Sequence, residues 1–278
     1  MTVDVEDWFQ VENFSDVIQR DHWPKYKLRI SDNIRKILEL FSKTDVHGTF
    51  FVLGWIAERL PKMIEEIAKC GHEIGSHGWS HRTIWNMTRS QFSDDVVNTR
   101  LLLQDITKQS ILGYRAPSFS ITQRTLWAMK VLSEAGYMYD SSIFPIHHDL
   151  YGIPNARLSV HKTPEGLWEI PLSVLEVGRF RIPVAGGGYF RLYPRFLTYY
   201  AIRSINRAGR PTIVFLHPWE FDPNQPYVSG VGWKKIARHR VGIARNEKKL
   251  AWLLKKIKFA PAISVLKEIQ NGCCMGGL

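Results

Sequence analysis

Short apolar segments alternate with amphipathic segments through the first half of the chain. Five apolar segments are predicted to be buried strands: residues 2–5, 47–53, 73–76, 111–114 and 137–139. Four segments with apolar residues at helical spacing are predicted to be helices: residues 31–41, 61–70, 88–106 and 122–135. Ser31 is placed to cap the first of these helices, and Thr88 with Gln91 has the spacing of a capping box. Strands that alternate with helices in this way form mostly parallel sheets, which are either open or closed into a barrel.

The pattern changes after residue 140. Residues 141–190 contain five prolines and a run of three glycines, which predicts an irregular insertion of long loops and short antiparallel strands, such as 168–177. Beyond it the periodicity predicts helices at 194–208 and 247–258 and strands at 212–216 and 261–266. No repeat or linker divides the sequence. We therefore expect a single domain over 1–278, with 220–278 as its basic C-terminal extension.

The positive charge is concentrated in one segment. The chain has 37 basic and 26 acidic residues, a net charge of +11. Residues 234–258 hold ten Lys or Arg and one acid, so this segment alone contributes +9. Such a segment suits an anionic membrane surface or an acidic, lipid-linked glycan. No motif typical of nucleic-acid binding accompanies the charge, so we expect no nucleic-acid partner.

Composition also bears on location. No run of about 18 apolar residues predicts a membrane span, and no secretory signal is visible at the start of the sequence. Cys70, Cys273 and Cys274 do not form a disulfide framework, which favours a reducing compartment. These features predict a cytoplasmic protein, bound at the membrane surface if the basic segment acts there.

Acids, histidines and an arginine follow the predicted strands. In parallel α/β folds the carboxyl ends of strands carry the functional site. The polar residues at these positions are Asp4, Glu6 and Asp7 after the first strand, His77 and His81 after the third, Arg115, Asp140, and His217. His77 and His81 are four residues apart, so a helical turn lets both imidazoles bind one metal. Two imidazoles and a carboxylate form a catalytic ligand set with open positions, best suited to zinc, although cobalt, nickel or iron also fit.

Five ordered motifs carry a resemblance to a known family. They are TVDVEDW (2–8), HGWSH (77–81), RAPSFS (115–120), YDSSIFP (139–145) and FLHPW (215–219). The set resembles the NodB-type polysaccharide deacetylases, carbohydrate esterase family four, and especially the branch with peptidoglycan deacetylases and the deacetylases of exopolysaccharide clusters. The resemblance implies a distorted (β/α) barrel of about seven strands. It also implies hydrolysis of N-acetyl groups on an amino-sugar polysaccharide by a water that a divalent metal activates.

The acid cluster departs from the family pattern. The family usually has two adjacent aspartates, one the base and one a metal ligand, whereas Val5 here separates Asp4 from Glu6 and Asp7. Either Asp4 is the base and Glu6 or Asp7 binds the metal, or Glu6 and Asp7 replace the adjacent pair. Strand alternation places Asp4 and Glu6 on one face if the strand continues that far. We expect Asp4 as base and Asp7 as ligand.

The resemblance assigns the remaining roles. Arg115 would hold the base through a bidentate contact, Asp140 would hold His217 or the arginine, and His217 would protonate the leaving amine. Four residues are expected to line the substrate site: Trp8, Pro117, Tyr189 and Trp219.

Two other functions are compatible with these motifs. One is hydrolysis of a small non-sugar amide, as in allantoinase-like relatives, and the other is an inactive barrel that binds glycans. A small closed pocket would favour the first of these, whereas an open groove with aromatic residues along it would favour a polysaccharide.

Overall fold

The computed structural model describes residues 1–148, 150–184 and 186–272. Its strands are β1 (Thr2–Val5), β2 (Thr49–Val52), β3 (Glu73–Ser76), β4 (Gly113–Tyr114), β5 (Tyr139–Asp140), β6 (His161–Lys162), β7 (Trp168–Glu169), β8 (Val174–Val177), β9 (Phe180–Pro183) and β10 (Phe215–Leu216). Its helices are α1 (Ile30–Ser42), α2 (Gly54–Arg59), α3 (Pro61–Lys69), α4 (Arg89–Thr107), α5 (Ala128–Glu134), α6 (Gly187–Leu192), α7 (Arg195–Arg207), α8 (Trp233–Arg240), α9 (Ile243–Leu254) and α10 (Ala262–Gln270).

One sheet of eight strands organises the described part of the molecule. Its order is β10-β1-β2-β3-β4-β5-β7-β6, and every neighbouring pair is parallel except β6 with β7. The sheet curls into a half-barrel with seven parallel strands, which confirms the predicted distorted α/β barrel. Because the strands are parallel, their carboxyl ends meet at one edge, and that edge carries the candidate site.

Helical periodicity explains how the helices pack on this sheet. In α1, Ile30, Ile34, Ile37 and Phe41 are buried at a spacing of three or four residues, so one face covers the core. At the start of α4, Thr88 and Gln91 form the predicted capping box. The predicted cap at Ser31 is wrong, because α1 begins at Ile30 and Ser31 lies inside its first turn. A side chain from another part of the chain, Asp7, accepts hydrogen bonds from the first N–H groups of the helix.

Two C-terminal predictions need correction. The predicted strand 261–266 is the helix α10, which Pro261 precedes and in which Ala262 and Leu266 are buried four residues apart. Over so short an apolar run, periodicity does not distinguish a strand from a buried turn of helix. The predicted helix 247–258 is α9, which begins and ends four residues earlier. Sequence periodicity did not reveal α8, whose residues are mostly basic.

The region 141–190 has the predicted irregular character. It contains the antiparallel pair β6 and β7 and the separate hairpin of β8 and β9, so the predicted strand 168–177 is two short strands in different sheets. Gly186 bridges to Phe215 of β10, and a Cβ at that position would lie 2.0 Å from the Phe215 ring. Only glycine allows this close approach.

Two findings bear on location. No helix among the described residues is long and apolar enough to cross a bilayer. Cys70 is an exposed free thiol, whereas Cys273 and Cys274 lie outside the described residues.

Candidate active site

Side chains from four strands converge at the carboxyl edge of the sheet. Asp4 belongs to β1, His77 follows β3 directly, Arg115 follows β4, and His217 follows β10. Since β10, β1, β2, β3 and β4 are consecutive neighbours, these residues come together although they are up to 213 positions apart in the chain. All four are buried or nearly so, which removes them from bulk water.

A three-residue cluster has the composition of a metal site. Ligand atoms of Glu6, His77 and His81 all lie within 4.8 Å of one another. Nδ1 of His77 is 2.8 Å from the carbonyl oxygen of Arg115, and because that oxygen only accepts, Nδ1 carries the proton. Nε2 of His77 therefore keeps its lone pair for a metal, the arrangement that orients histidine ligands in metalloproteins. The donor set fits a divalent cation with open coordination positions.

The ionisation of this cluster suits metal binding. Burial lowers the pKa of His77 to about 4, so its imidazole is neutral at physiological pH. Burial opposes ionisation of Glu6, but His81, 2.8 Å away, outweighs it and lowers the pKa of Glu6 to about 2. A neutral imidazole and an ionised carboxylate are the protonation states that bind metal.

Asp7 does not fit the role of metal ligand. Its Oδ2 accepts hydrogen bonds from the backbone N–H groups of Arg29, at 2.7 Å, and Ile30, at 3.0 Å, and its Oδ1 accepts from Trp8 N–H. The carboxylate therefore caps the start of α1, a task that the sequence assigned to Ser31. Glu6, the alternative that the sequence left open, lies with His77 and His81 instead.

Arg115 holds Asp4 through one contact rather than two. Its Nη1 donates to Oδ1 of Asp4 at 2.8 Å and to the hydroxyl of Thr2, while Nε and Nη2 donate to the backbone and side chain of Ser141. The bidentate contact expected from the sequence is therefore wrong, because Ser141 takes the other two nitrogens. Oδ2 of Asp4 points towards the imidazole of His217, whose Nε2 lies 3.9 Å away.

Asp140 contacts neither His217 nor Arg115. Its Oδ1 and Oδ2 accept hydrogen bonds from the hydroxyl and N–H of Ser142, and it adjoins Glu169. Burial and the neighbouring Asp140 raise the pKa of Glu169 well above its ordinary value. The expected contact of Asp140 with His217 or Arg115 is absent among the described residues, because Ser142 and Glu169 adjoin its carboxyl group instead.

The carboxylate beside His217 comes from Glu220. Nδ1 of His217 lies 3.5 Å from Oε1 of Glu220, and the same oxygen accepts a 2.9 Å bond from Nε of Arg191. Burial disfavours the imidazolium, but Glu220, Glu6 and Asp4 outweigh it and raise the pKa of His217 to about 9. The sequence analysis did not predict the contacts from His217 to Glu220 and Arg191. The available signal was Glu220 itself, an acid three residues after His217 on the turn Pro218–Phe221.

A cavity of about 580 Å³ opens over these residues. Asp4, Glu6, His77, His81 and His217 line its floor, and Tyr189 and Trp219 line its walls as predicted. Trp219 stacks on His217 and donates its indole N–H to Oε1 of Glu6 at 3.1 Å.

Two of the residues expected at the substrate site lie elsewhere. Trp8 is 4% exposed and packs edge-on against Phe9 and Tyr26, so it belongs to the core. Pro117 is buried behind the cavity, and the residues after it, Ser118 and Phe119, line the wall instead. Trp85 adds an aromatic ring, 38% exposed, that the sequence did not single out.

Comparison with known proteins finds a family that resembles part of the chain. Residues 21–139, which are less than half of the chain, match the polysaccharide deacetylase family. This part of the chain is therefore similar to the polysaccharide deacetylases. Residues 141–267 match a domain of unknown function, DUF3473. His217 and Glu220 lie in this second match and outside the deacetylase match.

Individual curated proteins are similar over the same part of the chain. A peptidoglycan deacetylase of Helicobacter pylori is 32% identical over 116 residues, which are 42% of this chain and 38% of that protein. A peptidoglycan-N-acetylglucosamine deacetylase of Bacillus cereus is 26% identical over 145 residues, 47% of this chain and 51% of that protein. The chain thus spans about half or less of these deacetylases. The crystal structure of a putative polysaccharide deacetylase from Mycobacterium smegmatis has the same fold, with a TM-score of 0.62, 18% identity, and coverage of 98% of this chain and 91% of that one.

Proposed function

We propose that this protein is a NodB-type deacetylase that hydrolyses N-acetyl groups of an amino-sugar polysaccharide, of the exopolysaccharide or peptidoglycan type. The convergence of Asp4, the Glu6–His77–His81 cluster and His217 at one cavity carries the proposal. Amide hydrolysis needs a base for water, an electrophile for the carbonyl and an acid for the amine, and the cavity has a candidate for each. A barrel that only binds glycan has no need for this set of buried ionisable groups.

Glu6, His77 and His81 would hold the metal, and zinc suits two imidazoles and one carboxylate best. When bound, a divalent metal polarises an amide carbonyl and lowers the pKa of water. The protein prepares the site by keeping Nε2 of His77 available and by burying the three side chains. The hydrogen bond from His77 to the carbonyl of Arg115 fixes that ring before any metal arrives.

Asp4 is the general base of the proposed reaction. Arg115 fixes Oδ1, which leaves Oδ2 facing the cavity to accept a proton from the attacking water. Arg115 is itself held by Thr2 and Ser141, so the carboxylate cannot rotate freely. This positioning keeps one lone pair of Asp4 aimed at the reacting water.

His217 is the general acid. Its pKa of about 9 keeps the imidazolium populated at neutral pH, which suits donation of a proton to a departing amine. Glu220 stabilises that charge and Arg191 fixes Glu220, so the acid is oriented by a buried chain rather than by solvent. The C–N bond of the acetamide breaks as the amine takes this proton, and the products are acetate and a free amino sugar.

The shape of the cavity favours a glycan over a small amide. Tyr189 presents aromatic surface at the cavity wall, and Trp85 stands exposed at the rim. Aromatic rings of this kind bind the apolar faces of sugars, while a small amide would leave most of the 580 Å³ unfilled.

Acetate release from N-acetylglucosamine oligomers by the zinc-loaded protein tests the proposal, with allantoin as the rival substrate. We expect release from oligomers that rises with chain length, and loss of turnover by at least about a hundredfold in Asp4→Asn, with metal content unchanged. Hydrolysis of allantoin without hydrolysis of any oligomer would show that the small-amide function is correct. Binding of oligomers with no acetate released by metal-loaded protein would identify an inactive glycan-binding barrel.

A further inference from the structure

Between Glu176 and Glu220 the sequence contains no acidic residue and seven arginines. Two of these form ion pairs, Arg191 with the buried Glu220 and Arg210 with the exposed Glu176. The positive charge of this stretch is separate from the basic segment 234–258. It lies on α7 and on the neighbouring hairpin of β8 and β9.

The outward face of α7 combines aromatic rings with arginines. Its inner face buries Thr198, Ala201, Ile202 and Ile205. Directly opposite, Phe196, Tyr200, Arg203 and Arg207 follow one another at intervals of four, three and four residues, so they form one stripe along the helix. We call these four residues the α7 stripe.

Solvent exposure of the stripe is unusually high for its apolar members. Phe196 is 59% exposed and Tyr200 is 66% exposed. Arg203 and Arg207 are exposed, and neither forms an ion pair with any carboxylate in 1–148, 150–184 or 186–272. Monomeric proteins rarely leave adjoining aromatic side chains and unpaired arginines together without a partner.

The apolar surface extends from the cavity towards the hairpin. Leu192, 59% exposed, lines the cavity four residues before Phe196. At the other end of α7, the ion pair of Arg210 with Glu176 joins the chain to the hairpin, whose tip exposes Val177 and Phe180. Helix α7, which carries the stripe, therefore follows a residue of the cavity, Leu192, in the chain and leads to the ion pair that joins it to the exposed hairpin.

We propose that the α7 stripe docks on an anionic lipid bilayer with the cavity mouth beside the membrane. Aromatic rings partition into the headgroup region, and arginines beside them attract anionic headgroups, so one surface with both suits a bilayer interface. A soluble acidic polymer would use the arginines but would not require exposed Phe196 and Phe180. In this orientation a membrane-anchored glycan reaches the cavity past Leu192.

The segment 234–258 is the weaker docking surface. Lys249 within it is buried and donates to the backbone carbonyl of Tyr193 and the hydroxyl of Thr198, so its charge serves the fold. Lys235 forms an ion pair with Asp16. Leu250, Leu253 and Leu254 face the core, while Lys255 and Lys256 are exposed. The exposed ring beside this segment, Trp233, lies against Lys234, 5.7 Å from the ring centroid.

Sedimentation of the full chain with phosphatidylcholine vesicles, with and without phosphatidylglycerol, tests the proposal independently of turnover. We expect binding that needs phosphatidylglycerol. Arg203→Gln with Arg207→Gln should weaken it by about 25-fold at low salt, roughly fivefold for each arginine. Phe196→Ser should weaken it by about tenfold or more at both low and high salt, because burial of an aromatic ring is not screened.

Two matched variants serve as controls. Lys255→Gln with Lys256→Gln removes the same charge from the rival segment, and Leu101→Ser removes a side chain that is 58% exposed on α4. Both should bind within about twofold of the unaltered protein. Equal losses in control and stripe variants, or no binding to phosphatidylglycerol vesicles, would overturn the proposal. The proposal also fails if the only effect of Phe196→Ser is to dissociate a dimer of this chain. It fails as well if the protein binds dextran sulfate, a soluble acidic polymer, and Phe196→Ser leaves vesicle binding intact.

Discussion

At the scale of single residues, Glu6 and Asp7 are adjacent acids with different tasks. Glu6 lies with His77 and His81, and Asp7 caps α1. Loss of a residue that only orients a metal ligand lowers metal affinity by roughly 10- to 100-fold. We predict that Glu6→Gln, which alters a ligand itself, lowers zinc affinity by at least that much. Asp7→Asn should retain zinc and lose about 1 kcal/mol of unfolding free energy, as expected for a weakened helix cap. Zinc titration and denaturant unfolding measure both effects, and a metal defect in Asp7→Asn with none in Glu6→Gln would reverse the assignment.

Glu220 controls the protonation of His217. The raised pKa keeps the imidazolium populated until the pH rises through about 9, so turnover that needs this acid should fall above that pH. Glu220→Gln removes a negative charge that raises the pKa, and we predict that the alkaline limb of the kcat profile moves to lower pH. The glutamine oxygen still accepts a bond from Arg191, and circular dichroism verifies that the variant is folded. An unchanged alkaline limb would show that another group titrates there.

At the scale of elements, the contact between the glycine run and β10 shapes the cavity. A Cβ on Gly186 would lie 2.0 Å from the Phe215 ring, and both residues line the cavity. We predict that Gly186→Ala costs about 1–3 kcal/mol of unfolding free energy, since the ring or the backbone must move. Activity should fall with it, because β10 leads directly into His217.

Gly188→Ala is the matched control in the same run. Its added methyl group meets only the end of the Arg191 side chain, at 3.9 Å, and the residue lies in α6. Alanine in a helix is favoured over glycine by roughly 0.5–1 kcal/mol, so this variant should be as stable as the unaltered protein or more so. Thermal or denaturant unfolding compares the two. Equal destabilisation would mean that the whole run, and not the Phe215 contact, is sensitive.

At the scale of the whole molecule, the two family matches meet at residue 140 but share one sheet. β5, at the end of the first match, pairs with β7 of the second, and β1, which precedes both matches, pairs with β10 of the second. The candidate site likewise takes His77 from the first match and His217 from the second. We propose that the chain is a single folding unit, with the basic C-terminal region as part of it.

Unfolding experiments test this unity. In denaturant, far-ultraviolet circular dichroism and tryptophan fluorescence should follow one coincident transition. A fragment of residues 1–140 should lack a cooperative transition, because β1 and β5 would each lose a neighbouring strand and expose an edge. Two separate transitions, or a fragment that unfolds cooperatively, would instead show two domains.

Several features of this protein were predictable from local sequence. The parallel α/β half-barrel follows from the alternation of apolar strands with amphipathic helices, and the spacing of His77 and His81 indicated a shared metal. Both are local properties, because strand alternation, helix periodicity and a four-residue spacing are set by backbone geometry. The order of the motifs likewise indicated which strand ends would carry the site.

Tertiary structure alone decided the division of labour within the site. β1 ends at Val5, so alternation along the strand no longer fixes the directions of Glu6 and Asp7, and the start of α1 selects Asp7 as its cap. Arg191 and Glu220 are 29 residues apart on different elements, and no local pattern pairs them. Trp8 joined the core because Phe9 and Tyr26 surround it. Long-range packing determines which polar group meets which partner, whereas local spacing determines only which groups are available.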